Sequence, residues 1–156
     1  MKQTVYLETT VISYLAASPS RDIVVAAHQQ ITRDWWDRRD RFELLTSQAV
    51  LDEASRGDAA AAARRLGLLA EIPVLTVSDE VIEFAELLLQ AGVVPAKVRS
   101  DALHIAVAAM NRIAYLLTWN CAHIANATVR GKIDGKCRAA GLQAPIICTP
   151  EELTEE

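Results

Sequence analysis

The sequence has only three cysteines, Cys121, Cys137 and Cys148, and no CxxC pair among them. An odd count at irregular spacing argues against a disulfide framework, and against a zinc site completed by His123. Reduced, mostly buried thiols in a cytoplasmic protein are the expectation. Net positive charge is missing as well: 16 Lys and Arg face 20 Asp and Glu, a formal charge of −4. An anionic ligand would therefore need a local basic surface or a bound cation. No uncharged stretch is apolar enough to span a membrane, since residues 113–129 contain Asn120, His123 and Asn126. Glu8 interrupts the first apolar run, so the N-terminus reads as a strand entering a helix rather than as a signal peptide. There is no linker.

What is present is a folded-protein composition, 51% hydrophobic and 23% charged, in a length suited to one domain with its own core. A single domain over residues 1–150 is expected, followed by a frayed acidic tail over 151–156. Short apolar runs favouring β structure fall at residues 4–7, 44–46, 74–77, 115–119 and 145–148. Helices are expected between them. Ser47, Asp58, Ser78 and Ser100 are the expected N-caps for helices over about 48–54, 59–69, 79–90 and 101–111. A helix over 10–16 ends at Ser18-Pro19-Ser20, and a less regular one spans 127–140, weakened by Gly131 and Gly135. The helix over 21–39 shows an apolar stripe of Ile23, Ala27, Ile31 and Trp35. The helix over 101–111 has almost no polar face and should be buried. Strands alternating with helices predict a parallel five-stranded sheet covered on both sides, an α/β/α sandwich.

Four polar residues stand out against this frame. Glu8 ends the first strand, Glu53 lies in the helix after the second, Asp101 opens the buried helix, and Asn120 follows the fourth strand. Each has an ordinary explanation. Asp101 complements a helix dipole, Glu53 could be a solvated helix acid, and Asn120 a turn residue. Together they are harder to dismiss. Open parallel sheets bind ligands outside the carboxyl ends of their strands, where all four are expected. Carboxylates are costly beside a core unless paired or bound to metal. An oxygen-rich cluster of this kind suits a hard cation such as Mg²⁺ or Mn²⁺.

The segments 5–15 (VYLETTVISYL), 100–106 (SDALHIA) and 117–120 (LTWN) resemble the motifs of the PIN-domain family, and within it the small VapC-type toxins. The likeness runs over nearly the whole chain, including the ending 145–150 (PIICTP). Matched position by position, the family's acids fall on Glu8, Glu53 and Asp101, and its fourth position on Asn120. Most relatives carry Asp at the first of these positions and often at the last. The resemblance implies Mg²⁺- or Mn²⁺-dependent cleavage of RNA, with Asp101 and Glu8 as direct ligands and Glu53 and Asn120 acting through water or a second ion. It also implies a cognate antitoxin and a homodimer as partners.

Around this set, Thr9 and Thr10 are expected to bond Glu8 or cap the first helix. His104, one turn beyond Asp101, is either a partner to the acids or a hydrogen-bonded core histidine. His123 and Asn126 either orient a ligand or cap the next helix. Arg99 is a candidate phosphate contact, as is the basic run Arg130, Lys132, Lys136 and Arg138. Two competing readings are kept: a catalytically weak PIN-like module that binds RNA or protein, and a receiver or phosphatase domain, which would require a nucleophilic Asp where Glu8 stands.

Overall fold

Thr4 to Leu7 form β1, Glu43–Ser47 form β2, Val74–Leu75 form β3, Tyr115–Leu117 form β4 and Ile146–Cys148 form β5. In the computed structural model, which describes residues 1–154, these strands pair in parallel in the order β3-β2-β1-β4-β5. Seven α-helices join them: α1 (Thr9–Ala16), α2 (Ile23–Asp37), α3 (Gln48–Ala54), α4 (Ala59–Leu69), α5 (Asp79–Gln90), α6 (Arg99–Met110) and α7 (Ala127–Ala139). The expected α/β/α sandwich is the observed fold. β1 is central, and its Val5, Tyr6 and Leu7 are fully enclosed, which accounts for a run without polar alternation. Among the described residues, no helix is long and apolar enough to cross a membrane.

The strand order places the site. From β1 the chain winds outward to β2 and β3, then crosses back over the sheet to β4 and continues to β5. The reversal opens a crevice at the carboxyl ends of β1 and β4. Leu7 pairs with Leu117, and the ladder extends one residue further through a Glu8 N–H bond to the Leu117 carbonyl at 3.1 Å. Helices run back against the strands. The start of α6 therefore lies at the same carboxyl edge, while its end feeds β4.

Several boundaries differ from the sequence expectation for identifiable reasons. α6 starts at Arg99, so Ser100 is not its cap; a 3₁₀ turn (Ala96–Val98) runs directly into it, and no side chain caps it. Asp101 in its first turn supplies the negative charge favoured there. α2 starts at Ile23, capped by Asp22. Its expected stripe is buried only at the far end: Ile23 is 86% exposed, whereas Gln29, Thr32 and Trp35 face inward. Gln29 can be buried because it bonds the Ser20 N–H and the Ser18 carbonyl, tying down the turn between α1 and α2. β4 ends at Leu117, although the Thr118 N–H still bonds the Cys148 carbonyl at 3.0 Å, while the Thr118 hydroxyl goes to Glu8 and the Trp119 indole to Thr32. The edge strand β3 has two residues rather than four.

The tail is held rather than frayed as far as Leu153. Glu152 accepts from the Thr149 N–H and from Arg130, both at 3.1 Å, and Arg41 bonds the Leu153 carbonyl at 3.2 Å. The last two residues of the expected tail lie outside the described residues. Cys137 and Cys148 are buried, and burial pushes their thiols up to about 11 and about 12, while Cys121 is exposed.

α5 and α6 end alike, with the N–H two residues beyond the cap reaching back to the penultimate turn: Val93 to Leu88 and Ile113 to Ala108, both 3.0 Å. This closure requires a left-handed residue. Gly92 supplies it after α5 (φ 70°), but Arg112 supplies it after α6 (φ 54°). A side chain there costs about 1 kcal/mol. Arg112→Gly should therefore stabilise the protein by about 1 kcal/mol, seen as a higher urea midpoint at unchanged slope.

Candidate active site at the carboxyl edge of the sheet

Glu8 leaves β1 and folds back over the helix that it starts. Its Oε1 accepts the Thr10 N–H at 2.9 Å, and its Oε2 accepts the hydroxyls of Thr10 at 2.7 Å and Thr118 at 2.6 Å. The carboxylate is thus the N-cap of α1, a duty taken more often by Asp, Asn, Ser or Thr than by Glu. Three donors compensate an acid only 3% exposed. The same network orders the loop after β4: the Thr10 hydroxyl accepts the Trp119 N–H at 2.8 Å, and the Thr118 hydroxyl accepts the Asn120 N–H at 2.9 Å. Trp119 is fixed from behind, stacked on His28 at 4.0 Å with its indole N–H on the Thr32 hydroxyl at 2.8 Å.

Glu53 comes from α3, whose N-cap Ser47 is the last residue of β2. Both of its hydrogen bonds fall on Oε1, one from the Thr9 hydroxyl at 2.9 Å and one from Nε2 of His104. Thr9 therefore serves Glu53 and Thr10 serves Glu8. Burial alone would raise the Glu53 carboxyl. The His104 bond and charge, the Thr9 bond and the Arg56 charge outweigh it and hold Glu53 below its ordinary 4.5. His104 answers in the opposite sense. Burial would lower it, but the bond to Glu53 and the charges of Glu8, Glu53 and Asp101 raise it above 6.5. Two shifts in opposite directions describe one ion pair.

Asp101 is 8% exposed. Burial raises its carboxyl above the ordinary value and the nearby Glu53 charge adds to the rise. A hydrogen bond with the Asn120 side chain and the charges of His104 and His123 oppose it. The Asn120 oxygen itself accepts the His123 N–H at 3.0 Å. Asn126 caps α7 through the Thr128 N–H at 3.0 Å.

All four sequence-predicted residues thus lie at one edge of the sheet, and the three acids all act on His104. The expected phosphate contacts are less well placed. Arg99 is paired with Glu86 on α5, Arg130 with Glu152, and Arg138 with Asp134 at 2.8 Å. Sequence reasoning missed Tyr6, Ser47, Thr118 and Arg56. The available signal was a tyrosine in an otherwise aliphatic buried strand, whose hydroxyl demands a partner. A cavity of about 520 Å³ bordered by Gln3, Arg112 and Gln143 lies at the opposite, amino-terminal edge and contains no acid.

The donor chemistry fits Mg²⁺ or Mn²⁺: three carboxylates and an amide oxygen, all hard ligands. Among the described residues, no three Asp, Glu, His or Cys side chains stand close enough together to enclose an ion as placed. Glu8 is tethered to Thr10 and Thr118, and Glu53 to Thr9 and His104. The least committed oxygens belong to Asp101 and to Oε2 of Glu53.

The fold is the PIN-like α/β/α sandwich of VapC-type proteins. A chain of the VapBC2 complex of Rickettsia felis, whose crystal structure contains a promoter DNA fragment, matches with a TM-score of 0.59 at 13% identity, covering 94% of this chain and 98% of that one. VapC20 of Mycobacterium tuberculosis, a toxin that cleaves the sarcin-ricin loop, matches at a TM-score of 0.52 and 19% identity, covering 72% of this chain and 86% of that one. No family model and no curated protein sequence matches the chain.

The ion pair predicts a pH dependence of stability. The raised His104 contributes fully below about pH 6.5 and loses its contribution as pH rises through its folded value. The lowered Glu53 contributes fully above about pH 4.5 and is lost as pH falls through its own. In chelator-treated protein, the stability advantage over His104→Gln should peak between pH 4.5 and 6.5 and shrink on either side, measured by urea unfolding across that range.

Proposed function

We propose that this chain is a Mg²⁺- or Mn²⁺-dependent endoribonuclease acting as the toxin of a toxin–antitoxin pair. One observation carries the reading: Glu8, Glu53 and Asp101 converge from β1, α3 and α6 on the switch-point edge of a PIN-like sheet, around one buried histidine. The cation would be held by Asp101 and Glu53, with Glu8 and the Asn120 oxygen completing the set. When bound, it supplies an activated water and charge stabilisation at the scissile phosphate.

The protein's own groups do the rest. Glu8 fixes the α1 start and the loop carrying Asn120. His104 holds Glu53 and balances part of the local negative charge. Arg56, whose charge reaches Glu53, would supply a cation for a phosphate bound there. His123 lies near enough to Asp101 to share its field. RNA is the substrate on this reading, a cognate antitoxin and a second copy of the chain are the partners, and the cytoplasm is the location. The similar structures support the toxin role, one being a VapBC complex and the other a toxin that cleaves the sarcin-ricin loop.

One feature favours a second reading, a PIN-like module with weak catalysis that binds RNA or protein. Three donors already occupy Glu8, and the Asn120 oxygen is engaged by His123, which leaves fewer oxygens for a metal. Calorimetric titration with Mn²⁺ separates the two, since the module would show no binding up to millimolar concentrations.

In purified protein, Asp101→Asn should lower Mn²⁺-dependent RNA cleavage roughly 100-fold or more, as should removal of the cation with a chelator. Growth arrest on expression should disappear with Asp101→Ala. Cleavage by Asp101→Asn at the wild-type rate would refute the assignment.

A further inference from the structure

A fully enclosed polar group lies behind the acids. The Tyr6 hydroxyl is 2.7 Å from Oγ of Ser47 and 2.7 Å from Nδ1 of His104, and all three residues are fully buried. A buried phenol needs partners, but it does not need these. The chain they form runs from β2 through β1 to α6 and then outward, because Nε2 of His104 bonds Oε1 of Glu53, an acid with 24% of its side chain exposed. An inward network with a solvent-reaching carboxylate at its end has a direction.

The direction follows from donor counting. Oγ of Ser47 receives the Val50 N–H that starts α3, at 3.4 Å, and its own proton has Tyr6 as its hydrogen-bond partner when Tyr6 donates to His104. When His104 is neutral, Tyr6 can then donate its O–H to Nδ1; in the charged ring paired with Glu53, Nδ1–H instead donates to the Tyr6 oxygen. The neutral ring must carry its remaining proton on Nε2, where Glu53 accepts it. Oε1 of Glu53 takes a second bond from Thr9, so both tethers hold the same oxygen.

We propose that Tyr6 is a positioning residue for Glu53: anchored by Ser47, it sets the His104 ring so that Oε1 is tied and Oε2 is left for a divalent cation or a cation-bound water. This rests on the metal-dependent reading above. Outer partners of this kind change metal affinity by about 10- to 100-fold when removed.

Tyr6→Phe keeps the ring and deletes the hydroxyl. In metal-free protein at alkaline pH, ¹⁵N spectra of wild type should show His104 protonated on Nε2 alone. Tyr6→Phe should show a mixture of tautomers. Calorimetry should give Mn²⁺ affinity about 10-fold weaker in Tyr6→Phe. Unchanged tautomer and affinity, even with a lowered melting temperature, would reduce Tyr6 to packing and overturn the proposal. Should Tyr6→Phe fail to fold, Ser47→Ala removes the next link, and the same two measurements decide. If wild type binds no Mn²⁺, the nuclease reading falls. The tautomer comparison then still decides whether Tyr6 governs the ring that holds Glu53.

Discussion

A carboxylate at 3% exposure beside a hydrophobic core survives only if donors replace the water it has lost, and Glu8 sets the local architecture by that requirement. Thr10 satisfies it through its backbone N–H and its hydroxyl, which starts α1 in a fixed position. Thr118 satisfies it from just beyond β4, which joins the ends of the two strands at the point where the winding reverses. The two threonine hydroxyls then accept the Trp119 and Asn120 N–H groups. One buried acid thus fixes a helix start, a strand end and the loop that presents Asn120.

The other two acids are handled differently. Glu53 is balanced by an opposite charge and Asp101 mainly by a hydrogen bond with Asn120, so one carboxyl is lowered while the other is raised by burial. His104 stands among all three and feels each of them. A single imidazole against three carboxylates leaves net negative charge in a partly desolvated crevice, and a divalent cation would relieve it. The Tyr6 hydroxyl makes the arrangement tolerable on the inner side, since an unpaired imidazole nitrogen there would carry its full desolvation cost.

Much of this was legible in the residues, and what was not has a physical cause. The parallel sandwich followed from buried strand runs alternating with helices. That Glu8, Glu53, Asp101 and Asn120 belong to one edge of the sheet followed from their places at strand ends and helix starts. The start of α6 was missed because a 3₁₀ turn can enter a helix with no capping side chain. The stripe on α2 misled because periodicity shows that a face is apolar, not that anything covers it; Ile23 sits on that face in solvent. The Tyr6 chain was invisible because it joins residues 41 and 98 positions apart, and only register brings them together. Of the phosphate candidates, Arg99, Arg130 and Arg138 each have an acidic partner: Glu86 and Glu152 are distant in sequence, whereas Asp134 lies one helical turn from Arg138 and was legible.

Those pairings bear on how an anionic substrate would approach. The chain carries a net charge of −4, and three of the cations expected to attract phosphate are already matched by Glu86, Glu152 and Asp134. Surface pairs of this kind contribute little to stability, but each one removes a positive charge from the local field. Arg56 is the cation whose field reaches the acids, and it acts on Glu53. On the nuclease reading, attraction of the RNA backbone therefore depends on the cation at the crevice more than on the protein surface. Without that ion, the three acids would repel the phosphate they are meant to cleave. Cation loading would come before productive RNA binding, and the carboxylates that spread apart as hydrogen-bond acceptors would draw together only around the ion.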